Sequence, residues 1–98
     1  MNMKPKIICY DLEGLSASKR RLLHKKLYGY KDHSHHGKYT YDRSGLLQEY
    51  DARKIIDAVI LVENKEGIKK ITELLDEYEA NKYIFEVSKK LDSNYGQD

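Results

Sequence analysis

The 98-residue chain contains one cysteine, one proline, one phenylalanine and no tryptophan. A single thiol, Cys9, permits no internal disulfide. Flanked by apolar residues, it reads as a small core side chain and not as a nucleophile. No apolar run approaches the ~18 residues a helix needs to cross a bilayer. The polar start from Met1 to Lys6 lacks the apolar stretch of a signal peptide, so the expected location is cytoplasmic, with no membrane partner. Gly14 and Gly29 stand apart and form no Gly-x-x-x-x-Gly-Lys phosphate loop. Neither an internal repeat nor a low-complexity linker interrupts the chain. Its length fits one domain over residues 1–98, with 91–98 expected to be a flexible tail.

Charge is plentiful and unevenly placed. Residues 1–40 hold nine Lys/Arg against three Asp/Glu, whereas residues 41–98 hold nine against thirteen. This asymmetry predicts a basic face for an anionic partner and an acidic, solvated face elsewhere. Nine of the ten aromatic residues are tyrosine. Tyrosine packs, stacks on bases or lines interfaces, so its abundance alone selects none of these.

The apolar run Ile7–Tyr10, between Pro5 and Asp11, predicts a buried strand. Gly14 turns the chain, and Ser16 or Ser18 caps a helix over Ala17–Tyr28 that ends at Gly29. Leu15, Leu22, Leu23, Leu27 and Tyr30 supply its apolar stripe. Its other side carries Lys19, Arg20, Arg21, His24, Lys25 and Lys26. The polar segment Lys31–Gly37 reads as a connection or the ragged start of a strand. Lys38–Asp42 alternates as a strand, Arg43–Gly45 is a turn, and Leu46–Ile56 fits either a hairpin extension or a helical turn.

Ala58–Val62 gives the strongest strand signal and predicts a central position. Asn64 caps a second helix with Ile68, Ile71, Leu75 and Tyr78 inward and Lys69, Lys70, Glu73, Asp76 and Glu77 outward. Tyr83–Val87 is the last strand. The order βαββαβ predicts an α+β, ferredoxin-like domain: an antiparallel sheet with two helices on one face. The uncovered face invites a second copy, hence a homodimer. It could also take nucleic acid as RNA-recognition modules do, with Tyr10 and Phe85 as stacking aromatics, but the basic aromatic signature of that module is missing.

At Cys9-Tyr-Asp-Leu12, Lys19-Arg-Arg-Leu-Leu23 and Leu27-Tyr-Gly-Tyr30, in that order, the chain resembles the small CRISPR-associated Cas two family and its relatives. The resemblance covers the first third. After the Tyr-Gly turn the family tends to show a Ser-aromatic strand; here Ser34 is followed by His35-His36-Gly37, and Arg43–Leu47 matches no family motif. The resemblance implies a homodimer with strand-ending aspartates facing each other, and a metal-dependent endonuclease or a non-catalytic DNA-binding subunit. Carried over, Asp11 is the catalytic residue and ligand of a Mg²⁺ ion, with Arg20 and Arg21 on phosphates.

The residues carry parallel expectations. Mg²⁺ keeps several waters and takes one or two carboxylates, which two copies of Asp11 would supply. The bland alternative is an Asp that hydrogen-bonds its own loop, and Glu13 reads as a solvated acid. Lys19, Arg20, Arg21, Lys25 and Lys26, with no acid between Ser16 and Lys31, form a candidate surface for DNA or RNA phosphates. The competing function is an assembly or regulatory module whose acidic half docks a protein partner. His33, His35 and His36 read first as a polar loop and second as imidazoles for a transition metal, because no zinc-type spacing accompanies them. Tyr39 and Tyr41 are expected on a sheet face or at the dimer seam.

Overall fold

The computed structural model describes residues 4–34, 37 and 39–87. The chain order is β1 (Lys6–Asp11), α1 (Ala17–Tyr28), β2 (Tyr30–Ser34), β3 (Tyr39–Arg43), α2 (Leu46–Glu49), β4 (Arg53–Ile56), β5 (Val59–Val62), α3 (Lys65–Glu77) and β6 (Asn81–Glu86). β4, β5, β1 and β6 form one antiparallel sheet in that spatial order. This is the ferredoxin-like arrangement, with β2 and β3 added as a separate hairpin between the first helix and the sheet's second strand. The alternating segment 38–42 is therefore a strand, but it pairs with Tyr30–Ser34 outside the sheet. The sheet strand expected in its place is β4, from the stretch that periodicity left open.

Alternation along β1 and β5 sorts the sheet's two faces. Ile8, Tyr10, Ile60 and Val62 are buried on one face, with Leu23 and Leu27 of α1, Leu47 of α2, and Ile71, Leu74 and Leu75 of α3 in the same core. Asn64 holds the start of α3 by accepting the Gly67 N–H at 3.0 Å, and Ser16 does the same for α1 with the Lys19 N–H at 3.2 Å. The stripe on α1 is narrower than expected. Leu22, about a quarter-turn from Leu23, is 50% exposed, and Tyr30 belongs to β2.

Among the described residues, no helix covers the other face. It presents Ile7 and Cys9 of β1, Val59 and Leu61 of β5, and Tyr83 and Phe85 of β6 in cross-strand rows. Tyr83 and Phe85 are 59% and 57% exposed, and the β1 and β5 residues are half-buried. The two central strands thus carry Ile7, Cys9, Val59 and Leu61 there and no aromatic ring, and Tyr10 is buried on the helix side. The stacking pair of an RNA-recognition module is not assembled. No helix among the described residues is long and apolar enough to cross a membrane.

The hairpin stands apart from this core. All of β3 is exposed, and none of the buried hydrophobic residues falls within its strands. Its two ends meet at Gly29 and Gly45. A side chain at Gly45 would run into the Leu27 carbonyl and the Gly29 nitrogen, and one at Gly29, where φ is +81°, would meet the Arg43 carbonyl. Two residues without side chains let the strands leave and re-enter the body at one point. Gln48 fixes the return by accepting the Gly45 N–H at 2.7 Å.

Candidate nucleic-acid interface

Helix α1 holds all five cations expected to contact phosphate, and all are exposed. They do not form one uniform stripe. Arg20 donates from Nε to the Leu15 carbonyl at 3.1 Å, closing the loop that enters the helix. Lys26 turns toward α3, with its Nζ 3.9 Å from Glu77 and 5.1 Å from the Tyr78 ring centroid. The contact with Tyr78 raises the affinity of that ammonium for its proton. About two turns earlier on the same flank, Lys19 lines a shallow groove of about 330 Å³ with Glu13, Ser16, Tyr78 and Glu79. Arg21 and Lys25, four residues apart, share the outward stripe. Lys25 and Lys26 also sit in the last helical turn, where positive charge complements the backbone dipole.

Asp11 ends β1 on the open side of the sheet, in register with Ile7 and Cys9 and paired with Asn81. The cations of α1 lie on the helix-covered side, so the strand's alternation places the carboxylate and the cations on different faces. Asp11 Oδ1 accepts the Glu13 N–H at 2.8 Å, the local loop bond that a strand-ending aspartate is suited to make. Glu13 is exposed. Among the described residues there is no group of three or more His, Cys, Asp or Glu able to hold a metal. Asp11 is therefore not part of such a group within the described residues of one chain. Of the histidines, His35 and His36 lie outside the described residues. His33 is exposed on β2, with Nδ1 3.5 Å from Thr40 Oγ1. The expected flexible tail, 91–98, also lies outside them.

Two features go beyond the expectations from sequence. The first is a polar contact inside the body: the Tyr10 and Tyr28 hydroxyls meet at 2.6 Å, joining β1 to the end of α1. Burial, then the bond to Tyr28, holds the Tyr10 phenol well above the ordinary tyrosine range. Around Tyr28 lie the His24 ring at 4.5 Å and the Lys54 ammonium at 5.4 Å. Lys54 pairs with Asp57 at 2.8 Å and keeps that carboxyl below the usual carboxylate range. No spacing rule marks this pair, since Tyr10 and Tyr28 are brought together by packing alone.

The second feature is where the tyrosines lie. Direct pairs Tyr30 with Arg43 and Asp32 with Tyr41 put these four residues on one face of the hairpin. Arg43 donates from Nε and Nη2 to Asp32 Oδ2 at 3.1 and 3.0 Å, and its guanidinium lies 5.7 Å from the Tyr41 ring centroid. Lys25 of α1 sits 4.8 Å from the centre of the Tyr30 ring. Tyr39 and Tyr41 are thus neither on the main sheet nor on its open face. A signal for this existed: Lys31-Asp-His and Tyr39-Thr-Tyr flank a polar, glycine-containing segment, as hairpin strands do.

No protein-family model matches the chain, and no curated protein or solved structure matches it.

Proposed function

We propose that this chain is a homodimeric nucleic-acid-binding protein akin to the Cas two family, engaging phosphates along α1. One observation carries the reading: the twelve residues of α1 include five Lys/Arg and no acid, and every one of those cations is exposed. A concentrated cationic surface binds nucleic acid through counterion release, so its affinity falls as salt rises. The open sheet face is the natural seam for the second copy, because it leaves two aromatic rings and four aliphatic or thiol side chains partly in water. A cytoplasmic location accords with this role.

The endonuclease form of the proposal needs that seam. Face-to-face sheets would bring two copies of Asp11 together, and a Mg²⁺ ion held by the pair would supply Lewis-acid stabilisation at a phosphate. The non-catalytic form, a spacer or assembly subunit, is favoured by the bond from Glu13 to Asp11, which gives the carboxylate a local task in a single chain.

The test is binding of labelled duplex across about 50–200 mM salt, with and without Mg²⁺. Wild type should bind with a clear salt slope, and Arg21→Ala/Lys25→Ala should flatten it by about 0.9 for each phosphate that is no longer neutralised. A flat wild-type curve would remove the proposal. Asp11→Ala separates the two forms: cleavage that disappears makes Asp11 a metal ligand, and unchanged binding without cleavage by either protein makes the dimer a scaffold.

A further inference from the structure

We propose that the tyrosine face of the β2–β3 ribbon, with the last turn of α1, binds unpaired nucleotides: bases stack on Tyr30 and Tyr41 and phosphates meet Lys25 and Lys26. The inference rests on the nucleic-acid function proposed for α1 and assigns the strandedness of its ligand.

The ribbon's chemistry is not that of a folding element. Tyr30 is 41% and Tyr41 50% exposed, and neither joins the core. They are interleaved with cations. Lys25 lies over Tyr30 and Arg43 over Tyr41. A groove of about 400 Å³ beside them is lined by Lys25, Lys26, Tyr30 and Arg43, together with Glu49. The acid on the ribbon face, Asp32, is paired with Arg43 at 3.0 Å, which leaves the Lys25 ammonium beside the Tyr30 ring to meet an approaching phosphate.

Rings with nearby cations suit a single strand. Every base has a π-face, and stacking on an aromatic side chain contributes roughly 1–3 kcal/mol per base without regard to sequence. A duplex hides those faces in its own stack and offers base edges, which Arg, Lys, Asn and Gln read well and a tyrosine ring does not. Spacing agrees. Tyr41 stands opposite Asp32, two residues from Tyr30, so the two tyrosines are diagonal neighbours across the ribbon, about 7–8 Å apart and roughly twice the ~3.4 Å step along one strand of a duplex. Such a ladder matches bases that have left their stack.

The experiment compares labelled oligothymidylate and a duplex of equal length by fluorescence anisotropy, using wild type, Tyr30→Ala/Tyr41→Ala and Tyr30→Phe/Tyr41→Phe. The alanine pair should lose about 10-fold or more in single-strand affinity and stay near wild type on duplex; the phenylalanine pair, which keeps the rings, should match wild type on both. Because the chain has no tryptophan and nine tyrosines, the quenching of tyrosine emission that wild type shows and the phenylalanine pair lacks reports stacking on Tyr30 and Tyr41. Oligothymidylate should quench that emission in wild type, a result that does not depend on how a variant folds. Undiminished single-strand binding by the alanine pair, equal losses on both probes, or absent quenching would each overturn the platform while leaving the α1 duplex interaction in place. If wild type binds neither probe at low salt, the platform and the nucleic-acid function fall together.

Discussion

The four-stranded body and the two-stranded ribbon are built by opposite rules. In the body, strand alternation and two capped helices place Ile8, Ile60, Ile71 and Leu75 fully out of water, and stability comes from apolar burial. In the ribbon, none of the described side chains is buried, and it is held by ladder hydrogen bonds, the Arg43–Asp32 pair and a glycine-to-glycine crossing at its root. A lone two-stranded hairpin is marginal in water. Residues kept on such an element are free to serve a surface role, while those in the body are constrained by packing.

Substituting one residue of each kind tests the contrast most strongly. Ile71→Ala removes buried methyl groups from a site with no exposure and should cost about 2–5 kcal/mol in urea unfolding. Tyr41→Ala, on the exposed ribbon, should stay within about 0.5 kcal/mol of wild type. A Tyr41→Ala effect comparable to that of Ile71→Ala would mean the ribbon is part of the folding unit, and the division between body and ribbon would fail.

A smaller effect is expected where the regions join. Gly45→Ala pushes a methyl group against the Leu27 carbonyl and the Gly29 nitrogen, backbone atoms that cannot rotate away. Overpacking of this kind costs about 1–3 kcal/mol. Hydrogen exchange should show faster opening for the amides of β2 and β3 than for those of β1 and β5. Uniform acceleration across both regions would place the strain in the body instead.

How much of this was legible depends on element length. β1, β5 and α3 are read from sequence because each buries a regular set of positions; Asn64 and Ser16 act as the expected caps. β4 was hidden because it is a four-residue edge strand, Arg53-Lys-Ile-Ile, with an irregularity between Lys54 and Ile56 that breaks the period of two. β2 was read only as a connection or the ragged start of a strand, because none of its described side chains is buried to give it a hydrophobic pattern. As for the interface, the cations of α1 were visible as a composition. Their division among Leu15, Glu77 and Tyr30 was not, since it depends on which helix or strand lies alongside.

The finest probe of the junction is Tyr10, whose hydroxyl ties β1 to Tyr28, two residues before the ribbon begins. Its folded-state pKa is raised, first by burial and then by the Tyr28 hydroxyl, whereas an unfolded tyrosine ionises near 10. Above pH ~10 the unfolded chain has released this proton and the native chain still holds it, so νU − νN is about −1 and stability falls as pH rises. The contribution is fully present below the unfolded pKa and is lost progressively above it, at about 1.4 kcal/mol per pH unit. Tyr10→Phe has no proton there to lose. Wild type should therefore be more stable at neutral pH by roughly 0.5–1.5 kcal/mol, the net value of a hydrogen bond, and should lose that margin on the alkaline side, where the two stability curves cross. Parallel curves would show that Tyr10 ionises as freely in the native protein as in the unfolded chain, and that the link between body and ribbon root is open to water.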